Sequence, residues 1–389
     1  MRHSPRASAW LVLLATAALA LGCASSTPPA QSPRWEPAIA SARQLAAELR
    51  GREGIPGLSV AVVVGREVVW AEAFGFADAE AGVSATPETR FRLASVSKLL
   101  TVAVAAKLIE AGRLDPDAPI SRYVPSLPEA LQPITVRQLA GHLGGIRHYQ
   151  PKDSFPVSID LQRFPTVTAS LAVFANDPLV APPGTQYHYS TFGFTLLAAA
   201  LEGASGQDFL TLVEEQVAGP LALPSVGADF QDQEIDHRSR FYDRDANGKA
   251  VPARPMDPSY KWAGGGLLAN ASDIARFGSA HIEPGFFRPE SLSLFFTPLQ
   301  TIGGEPTGVG FGWRIAIDPV TGLEVVRHNG SQAGSRTCLA VYRGPQVAVA
   351  LLSNLGGVPS DVEVAAQAIA RPFLETLGAY APAAPAGGN

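Results

Sequence analysis

Cysteine is nearly absent from this sequence, which contains two among 389 residues, Cys23 and Cys338. Two cysteines do not make a disulfide framework, so no disulfide is predicted and the fold must rest on a hydrophobic core. With 46% hydrophobic residues, the chain has ample material for that core, in two or three domains or in one large two-lobed unit. Cys338 lies in a strand-like run, and we interpret it as a small buried apolar side chain.

Strong net charge is missing as well, since 35 acidic residues nearly balance 30 basic ones and the formal charge at pH 7 is -5. A nucleic-acid partner would favour a basic face, which this balance argues against. The seven histidines show no metal-binding spacing with one another or with cysteine, so neither a metal site nor a cofactor is predicted. The motif G-x-S-x-G does not occur, which excludes the nucleophile elbow of the α/β-hydrolases.

Lysine is scarce as well. Nearly every basic position is an arginine, whose guanidinium cannot lose its proton in a protein, so a retained lysine is a candidate for proton transfer. For any single lysine, survival by drift is the simpler explanation until its context is considered. The lysines of the chain are Lys98, Lys107, Lys152, Lys249 and Lys261.

The N-terminal segment predicts export rather than part of the fold. The apolar run from about Ala9 to Leu21 is too short for a comfortable transmembrane helix and follows basic residues, so residues 1–22 are interpreted as a signal peptide. The run ends in Ala20-Leu21-Gly22-Cys23, which resembles the lipobox of bacterial lipoproteins, where the cysteine is lipidated. Residues 23–34 are then the lipidated Cys23 and a tether rich in Ser, Pro and Ala.

This segment also indicates a location. A lipidated Cys23 implies a lipoprotein of the bacterial cell envelope, in contact with the membrane through its lipid anchor. Because no Asp follows Cys23, we expect it at the outer membrane, facing the periplasm or the surface. The alternative is a mitochondrial presequence, since residues 1–34 contain no acidic residue, but a continuous apolar run argues against an amphipathic one.

Strand patterns stand at both ends of the remaining chain. Apolar, β-branched runs at Gly57–Val64 and Val68–Phe76 flank a hairpin turn, and a long helix is predicted over Val96–Ala111. Further strands are predicted at Val309–Ile317, Leu323–His328, Ser335–Tyr342 and Val347–Ser353, followed by a helix over about 360–376. The segment between these ends reads mostly as helices, with candidates at 136–143, 166–175, 190–204, 207–218, 272–282 and 289–296.

This order predicts an α+β fold. Strands from the two ends join one antiparallel sheet flanked by helices, and a helical lobe is inserted between them. We expect one domain over residues 35–378, with an α/β lobe from about 35–115 and 300–378 and a helical lobe over about 116–299. The tail at 379–389 is expected to be disordered. A cleft between the lobes is the natural place for a substrate.

The motif Ser95-x-x-Lys98 opens the first long helix. Residues three apart on a helix share a face, so the Lys98 amine can reach the Ser95 hydroxyl and act as its base. The free N–H groups and positive dipole end of a helix N-terminus also stabilise an oxyanion. One helical turn thus supplies a nucleophile, a base and one oxyanion donor, although Ser-x-x-Lys alone is a weak motif that often occurs by chance.

Two further elements carry polar groups that fit this chemistry. Tyr189 and Thr191 follow a Pro-Gly turn at a helix start, where a phenol can shuttle a proton to a leaving group; the alternative is a core or capping tyrosine. His328 and Gly330 lie at a strand edge that a substrate can approach closely. The N–H of Ser331 is the candidate for a second oxyanion donor, although His328 alone fits a turn histidine equally well.

The order and spacing of these elements resemble the serine β-lactamase and penicillin-binding protein superfamily. The tyrosine in the second motif is typical of its class C, D-peptidase and esterase branch. Four segments are similar to the LACTB-like serine hydrolases, and the resemblance extends over roughly residues 35–375. These segments are Phe91 to Lys98, Gly145 to Tyr149, Tyr189 to Gly193 and Ser259 to Gly266.

The resemblance implies roles for individual residues. Ser95 would be the acyl-enzyme nucleophile, Lys98 its base, Tyr189 the proton shuttle, and His328 would line the oxyanion side. Two departures put efficient β-lactam hydrolysis in doubt. Thr191 stands where many β-lactamases have an Asn that contacts the substrate amide. His328 stands where they have a Lys that binds a carboxylate of the substrate.

Some weaker candidates remain. Gly264 and Gly265 are interpreted as possible cleft residues, and Lys261 before them as a possible anion contact. His142 and His148 lie in a loop-rich segment, and we interpret both as structural.

The predicted function is a serine hydrolase acting through an acyl-enzyme on a peptide or amide bond. An esterase on small acyl esters, a weak β-lactamase and a non-catalytic envelope scaffold are the alternatives. The intact Ser95, Lys98 and Tyr189 argue against the scaffold.

Overall fold

The computed structural model describes Met1, residues 33–154 and residues 158–382. Within these ranges, no helix is long and apolar enough to span a membrane. The predicted signal peptide, Cys23 and nearly all of the tether lie outside the described residues, as does most of the predicted tail. The described residues from 33 onward form one compact unit.

Twelve strands and ten α-helices make up the described chain. The strands are β1 (Gly57–Val64), β2 (Glu67–Asp78), β3 (Val83–Ser84), β4 (Phe91–Arg92), β5 (Gly227–Ala228), β6 (Tyr242–Arg244), β7 (Ala250–Pro252), β8 (Leu267–Ala269), β9 (Arg314–Ile317), β10 (Glu324–Gln332), β11 (Ser335–Tyr342) and β12 (Val347–Ser353). The helices are α1 (Glu36–Glu53), α2 (Ser97–Glu110), α3 (Val136–Ala140), α4 (Val167–Ser170), α5 (Thr191–Ser205), α6 (Phe209–Val213), α7 (Trp262–Gly265), α8 (Ala271–Ser279), α9 (Pro289–Phe296) and α10 (Val362–Thr376).

A seven-stranded antiparallel sheet joins the two ends of the chain. Its order is β3-β2-β1-β12-β11-β10-β9, so that β1 from the first half pairs with β12 from the second, Leu58 opposite Ser353. Every residue of β12 is buried, because helices cover both faces of the sheet. Helices α1 and α10 pack on one face and α8 on the other, and α3 to α7 lie in the inserted region. The predicted α+β architecture is confirmed.

Helix α2 runs through the middle of the core. Its sequence is apolar on all sides, and eleven of its fourteen residues are buried, as expected for a helix surrounded by protein. It begins directly after the short turn Ala94–Val96, which contacts β10 and β11 of the sheet and α7 of the inserted region. The core therefore fixes the start of α2, where the first motif lies.

The observed bounds of two strands differ from the predicted ones. The strand predicted from Val309 begins at Arg314, because Gly312 has a left-handed φ of 83° and the N–H of Gly310 bonds to the Trp313 carbonyl, which makes a turn. Conversely, β10 runs on past His328 to Gln332, so the third motif lies inside a strand rather than after one.

Candidate active site

Ser95 and Lys98 meet at the start of α2 as the helical spacing predicts. The Nζ of Lys98 lies 3.1 Å from the Ser95 Oγ, and it also donates to the Thr191 Oγ1 at 3.2 Å and the Gly264 carbonyl at 2.6 Å. Lys98 is completely buried, and this burial, reinforced by the positive charge of Arg314, holds its pKa well below the usual range for lysine. The amine is therefore suited to accept a proton from Ser95.

The residue before the nucleophile has a strained backbone. Ala94 has a φ of 47°, in the left-handed region that non-glycine residues rarely adopt, and its side chain is buried. This conformation leads the chain from β4 into the turn that presents Ser95 at the start of α2. The strain must be offset by the packing around it.

Tyr189 is the third member of the cluster. Its hydroxyl donates to the Ser95 Oγ at 2.7 Å, so the structure brings Ser95, Lys98 and Tyr189 into one hydrogen-bonded group. Burial raises the pKa of Tyr189 to about 12, which keeps the phenol protonated at neutral pH. Ser190 caps the following helix α5 by accepting the Gly193 N–H, which anchors the tyrosine beside Ser95.

His328 lies next to this cluster, but its ring packs against Tyr189 with centroids 6.3 Å apart rather than lining the cavity described below. The role of His328 on the oxyanion side stays a prediction. Asn329, Ser331 and Gln332 of the same strand do line the cavity. Burial lowers the pKa of His328 to about 3, so its ring is neutral.

Gly330 permits a close contact between β10 and the nucleophile segment. A Cβ at this position would lie 2.4 Å from the Leu93 carbonyl oxygen and 2.2 Å from the Thr337 Oγ1. The Thr337 hydroxyl donates to that same Leu93 carbonyl at 2.7 Å, and the Ser335 hydroxyl donates to the Arg92 carbonyl at 2.5 Å. These two bonds tie β11 to the residues just before Ser95, and both Ser95 and Ser331 line the cavity described below.

One cavity of about 540 Å³ surrounds the cluster. The weaker candidates Lys261, Gly264 and Gly265 all line it, together with a wall of aromatic and charged side chains. Its lining includes Ser95, His148, Tyr149, Asp160, Tyr189, Thr191, Tyr260, Lys261, Gly264, Gly265, Arg314 and Ser331.

Lys261 and Gly264 differ in what they contribute to this cavity. Lys261 is buried, its Nζ lies 3.3 Å from the Met256 Sδ and 3.9 Å from the Asp160 carboxylate, and burial lowers its pKa to about 8. Gly264 has no room for a side chain, because a Cβ would lie 2.5 Å from the Thr191 Cγ2. Its role is to bring a backbone carbonyl to Lys98.

The sequence missed two cavity residues, Arg314 and His148. The Arg314 guanidinium lies 5.9 Å from the Tyr189 ring, and its Nε is buried with no hydrogen-bond partner among the described residues. His142 and His148 accept the N–H groups of Ser190 and Thr191, which fits the predicted structural role, but His148 also lines the cavity. His148 follows Arg147 in the segment Gly145 to Tyr149, which resembles the LACTB-like hydrolases. That resemblance was the sequence signal that could have identified His148 as a cavity residue.

Within residues 33–154 and 158–382, no group of three or more His, Cys, Asp or Glu side chains is arranged to hold a metal ion. The reactive groups of the cavity are the hydroxyls, amines and imidazoles already named.

Comparisons with known proteins agree with this geometry. The β-lactamase family model matches residues 42–372. The chain is 31% identical over 381 residues to the mitochondrial serine β-lactamase-like protein LACTB of Mus musculus, in a match that covers 76% of this chain and 69% of that protein. It covers 62% of the Homo sapiens counterpart.

Two solved structures share the fold. The octameric penicillin-binding protein homologue from Pyrococcus abyssi has a TM-score of 0.74 at 24% identity, covering 86% of this chain and 77% of that one. A D-stereospecific amidohydrolase from Streptomyces sp. has a TM-score of 0.73 at 23% identity, covering 86% and 98%. At these identities the likeness shows the fold alone. Taken with the family match, it follows that this chain belongs to the β-lactamase family of serine hydrolases.

Proposed function

We propose that the protein hydrolyses a peptide or amide bond through an acyl-enzyme on Ser95. The observation that carries this proposal is the hydrogen-bonded cluster in which the Ser95 Oγ lies 3.1 Å from the Lys98 amine and 2.7 Å from the Tyr189 hydroxyl. Neutral Lys98 takes the proton of Ser95 as the Oγ attacks the substrate carbonyl carbon. The C–N bond then breaks, and Tyr189 passes its proton to the departing amine. Tyr189 regains a proton from Lys98, which had taken it from Ser95.

The oxyanion of the intermediate needs donors on the other side of the carbonyl. We assign this role to the backbone N–H groups of Ser95, at the start of α2, and of Ser331 on β10. Each such donor typically contributes about 2.7–4 kcal/mol of transition-state stabilisation. Water then attacks the acyl-enzyme, with Lys98 and Tyr189 returning the proton to Ser95, and the acid is released.

Arg314 favours a substrate whose leaving group ends in a carboxylate. Its guanidinium lines the cavity beside Tyr189, and its Nε is buried without a hydrogen-bond partner in the described chain. A carboxylate is the group that best satisfies a guanidinium, through paired N–H···O bonds. We therefore propose a carboxypeptidase-like reaction in preference to hydrolysis of uncharged esters.

Intact mass of the soluble domain tests this proposal. Wild type and Ser95→Ala are exposed to a penicillin and to an activated acyl ester, and the proposal expects an adduct of one acyl group on wild type that is absent from the variant. A long-lived penicillin adduct supports the peptidase, whereas rapid ester turnover with no penicillin adduct supports the esterase. A normal adduct on Ser95→Ala excludes Ser95 as nucleophile, and no adduct on either protein favours the scaffold.

We also propose that Cys23 carries a lipid that holds the enzyme at the outer membrane of a bacterial envelope. The support is the sequence Ala20-Leu21-Gly22-Cys23 after an apolar run. Cells grown with labelled palmitate should label the wild-type protein and not Cys23→Ser. An unlabelled wild-type protein removes the anchor, and recovery of the labelled protein in the inner-membrane fraction removes the outer-membrane location.

A further inference from the structure

The imidazole of His148 lies in the cavity wall beside Tyr189 and takes no part in the acyl transfer proposed above. Its ring packs at a tilt of 31° against Tyr149, with centroids 4.3 Å apart, and meets the Tyr189 ring edge-on at 5.3 Å. It is half-buried and lines the cavity. Two aromatic neighbours hold it in a single orientation.

A backbone contact determines which nitrogen of His148 carries the proton. The N–H of Thr191 donates to its Nδ1 at 3.3 Å. Thr191 is the first residue of α5, where N–H groups lack an intrahelical acceptor. Because a backbone N–H only donates, Nδ1 must be the unprotonated nitrogen, and the proton of the neutral ring therefore lies on Nε2.

The His148 ring also stays neutral. Burial, followed by the nearby amines of Lys98 and Lys261, lowers its pKa to about 4. His142 provides a comparison, since its Nδ1 accepts the neighbouring Ser190 N–H at 3.2 Å, but it is buried and does not line the cavity. Both imidazoles cap α5, and His148 in addition presents an N–H donor where substrate would lie.

The position of this donor relates it to one part of the substrate. Arg314 approaches Tyr189 from β9, whereas His148 belongs to the wall that continues through Tyr149 to Lys261. The hydroxyl oxygen of Thr191, which also lines the cavity, accepts from the Lys98 amine at 3.2 Å and keeps its own hydrogen to donate. The Nε2–H of His148 is a further donor at this end of α5.

We propose that His148 is a specificity-determining residue whose Nε2–H donates a hydrogen bond to a carbonyl oxygen in the acyl part of the substrate, such as that of an acylamino group. This inference rests on the proposed function, which places the leaving group beside Tyr189 and Arg314 and leaves the wall formed by His148 and Tyr149 for the acyl part. A hydrogen bond of this kind would make the enzyme prefer a substrate whose acyl part carries an N-acylated amino group, as the acyl part of a peptide does.

Two esters of equal chain length test the inference. In p-nitrophenyl 4-oxopentanoate the ketone oxygen occupies the place of an acylamino carbonyl, and p-nitrophenyl pentanoate lacks it. For wild type, we expect kcat/KM to favour the oxo ester by about three- to tenfold, the value of one neutral hydrogen bond. The ratio of the two constants is insensitive to the fraction of folded protein, because both esters report on the same preparation.

Two substitutions separate the donor from the helix cap. In His148→Asn, the Oδ1 can take the place of Nδ1 and accept the Thr191 N–H, but no donor remains at the Nε2 position. In His148→Gln, the terminal amide supplies a donor near Nε2 and the acceptor for Thr191 is lost. We expect His148→Asn to lose the preference for the oxo ester and His148→Gln to keep it, with His237→Asn, an exposed position, behaving as wild type.

The opposite pattern overturns the inference. If His148→Asn keeps the preference while His148→Gln loses it, the residue serves only as a cap, and a wild type without any preference leaves no role for the donor. Failure of the proposed function looks different: without the acyl-enzyme on Ser95, wild type would hydrolyse neither ester and form no adduct, and an esterase would turn over both esters without forming a penicillin adduct. Hydrolysis of both esters at equal rates contradicts the His148 inference alone.

Discussion

The amine of Lys98 and the carbonyl oxygen of Gly264 are joined by a hydrogen bond of 2.6 Å, shorter than the 3.1 Å between the same amine and the Ser95 Oγ. The base is thus oriented by a backbone carbonyl, and no carboxylate among the described residues forms an ion pair with it. A neutral carbonyl orients the amine without stabilising its protonated form as strongly as a carboxylate would. The position of Gly264 therefore controls the geometry of the base without raising its pKa as a carboxylate would.

Gly264→Ala should impair catalysis and stability together. The new Cβ would lie 2.5 Å from the Thr191 Cγ2 and 3.1 Å from the Thr191 carbonyl, so α7 must move away from α5 and carry the acceptor of Lys98 with it. We expect kcat to fall by about a hundredfold and the free energy of unfolding by about 1–3 kcal/mol. Ester kinetics and urea unfolding measure these quantities.

Gly265→Ala is the matched control for that substitution. Its Cβ would meet nothing closer than 3.6 Å, which is ordinary van der Waals contact. Its free energy of unfolding should stay within about 0.5–1 kcal/mol of wild type, the usual range for exchange of glycine and alanine. Equal losses of stability in the two variants would show that the packing of Gly264 against Thr191 is not the cause.

Arg314→Gln should change the pH dependence of the enzyme. The charge of Arg314 helps to lower the pKa of Lys98, so its removal raises that pKa and leaves less neutral amine at a given pH. The acid limb of kcat/KM for an uncharged ester should move to higher pH. An unchanged limb would mean that Lys98 is not the titrating base.

The same variant tests the leaving-group assignment. For a peptide substrate with a free terminal carboxylate, we expect Arg314→Gln to raise KM by about tenfold or more, the effect of one charged hydrogen bond. The matching C-terminal amide serves as the control and should show little change in KM. Equal effects on both substrates would place the carboxylate elsewhere.

Ala94→Gly should relieve backbone strain beside the nucleophile. Left-handed alanine costs about 1–2 kcal/mol, and the greater freedom of glycine in the unfolded chain offsets part of the gain. Since Ala94 has a φ of 47°, we expect stability to rise by about 0.5–1 kcal/mol and kcat to fall, because the turn before Ser95 is no longer held in one conformation.

Ala222→Gly provides the comparison, since Ala222 also has a positive φ, 52°, and is exposed. It should give a similar rise in the midpoint of thermal unfolding with unchanged kcat. If both variants keep full activity, the strain at Ala94 has no catalytic function.

Stability should decline as the pH falls through the range in which unfolded histidine titrates. Burial lowers the pKa of His281 and of His328 to about 3, against 6.5 for the free side chain, so the unfolded chain takes up protons that the folded one does not. Their contribution to stability is complete above about pH 6.5 and is lost on descent toward pH 3. Urea unfolding at pH 7.5, 5.5 and 4.5 should show this decline.

His281 isolates one of these protons. Its Nδ1 bonds to the Phe277 carbonyl at 2.9 Å inside an aromatic cluster away from the cavity. His281→Asn retains an N–H donor, loses the titration, and should reduce the slope of unfolding free energy against pH by about 1.4 kcal/mol per unit between pH 4.5 and 5.5. An unchanged slope would show that the ring already titrates in the folded state.

Much of the fold could be predicted from local patterns. The bounds of β1, β11 and β12 agree with the sequence prediction at both ends, because continuous apolar, β-branched runs between turn residues have few alternatives to buried strands. The approach of Ser95 and Lys98 follows from the same kind of reasoning, since residues three apart at a helix start must share a face. Where glycines interrupt the pattern, as before Arg314, the predicted bounds failed.

Sequence alone therefore determined the sheet, the inserted helices and the local pairing of nucleophile and base. Only the tertiary structure decided the environment of that pair. The burial that lowers the pKa of Lys98, the tyrosine hydroxyl 2.7 Å from Ser95 and the caps supplied to α5 by His142 and His148 each join segments about 40 to 170 residues apart. Such contacts depend on how whole elements pack, and neither hydrophobic period nor motif spacing encodes them locally.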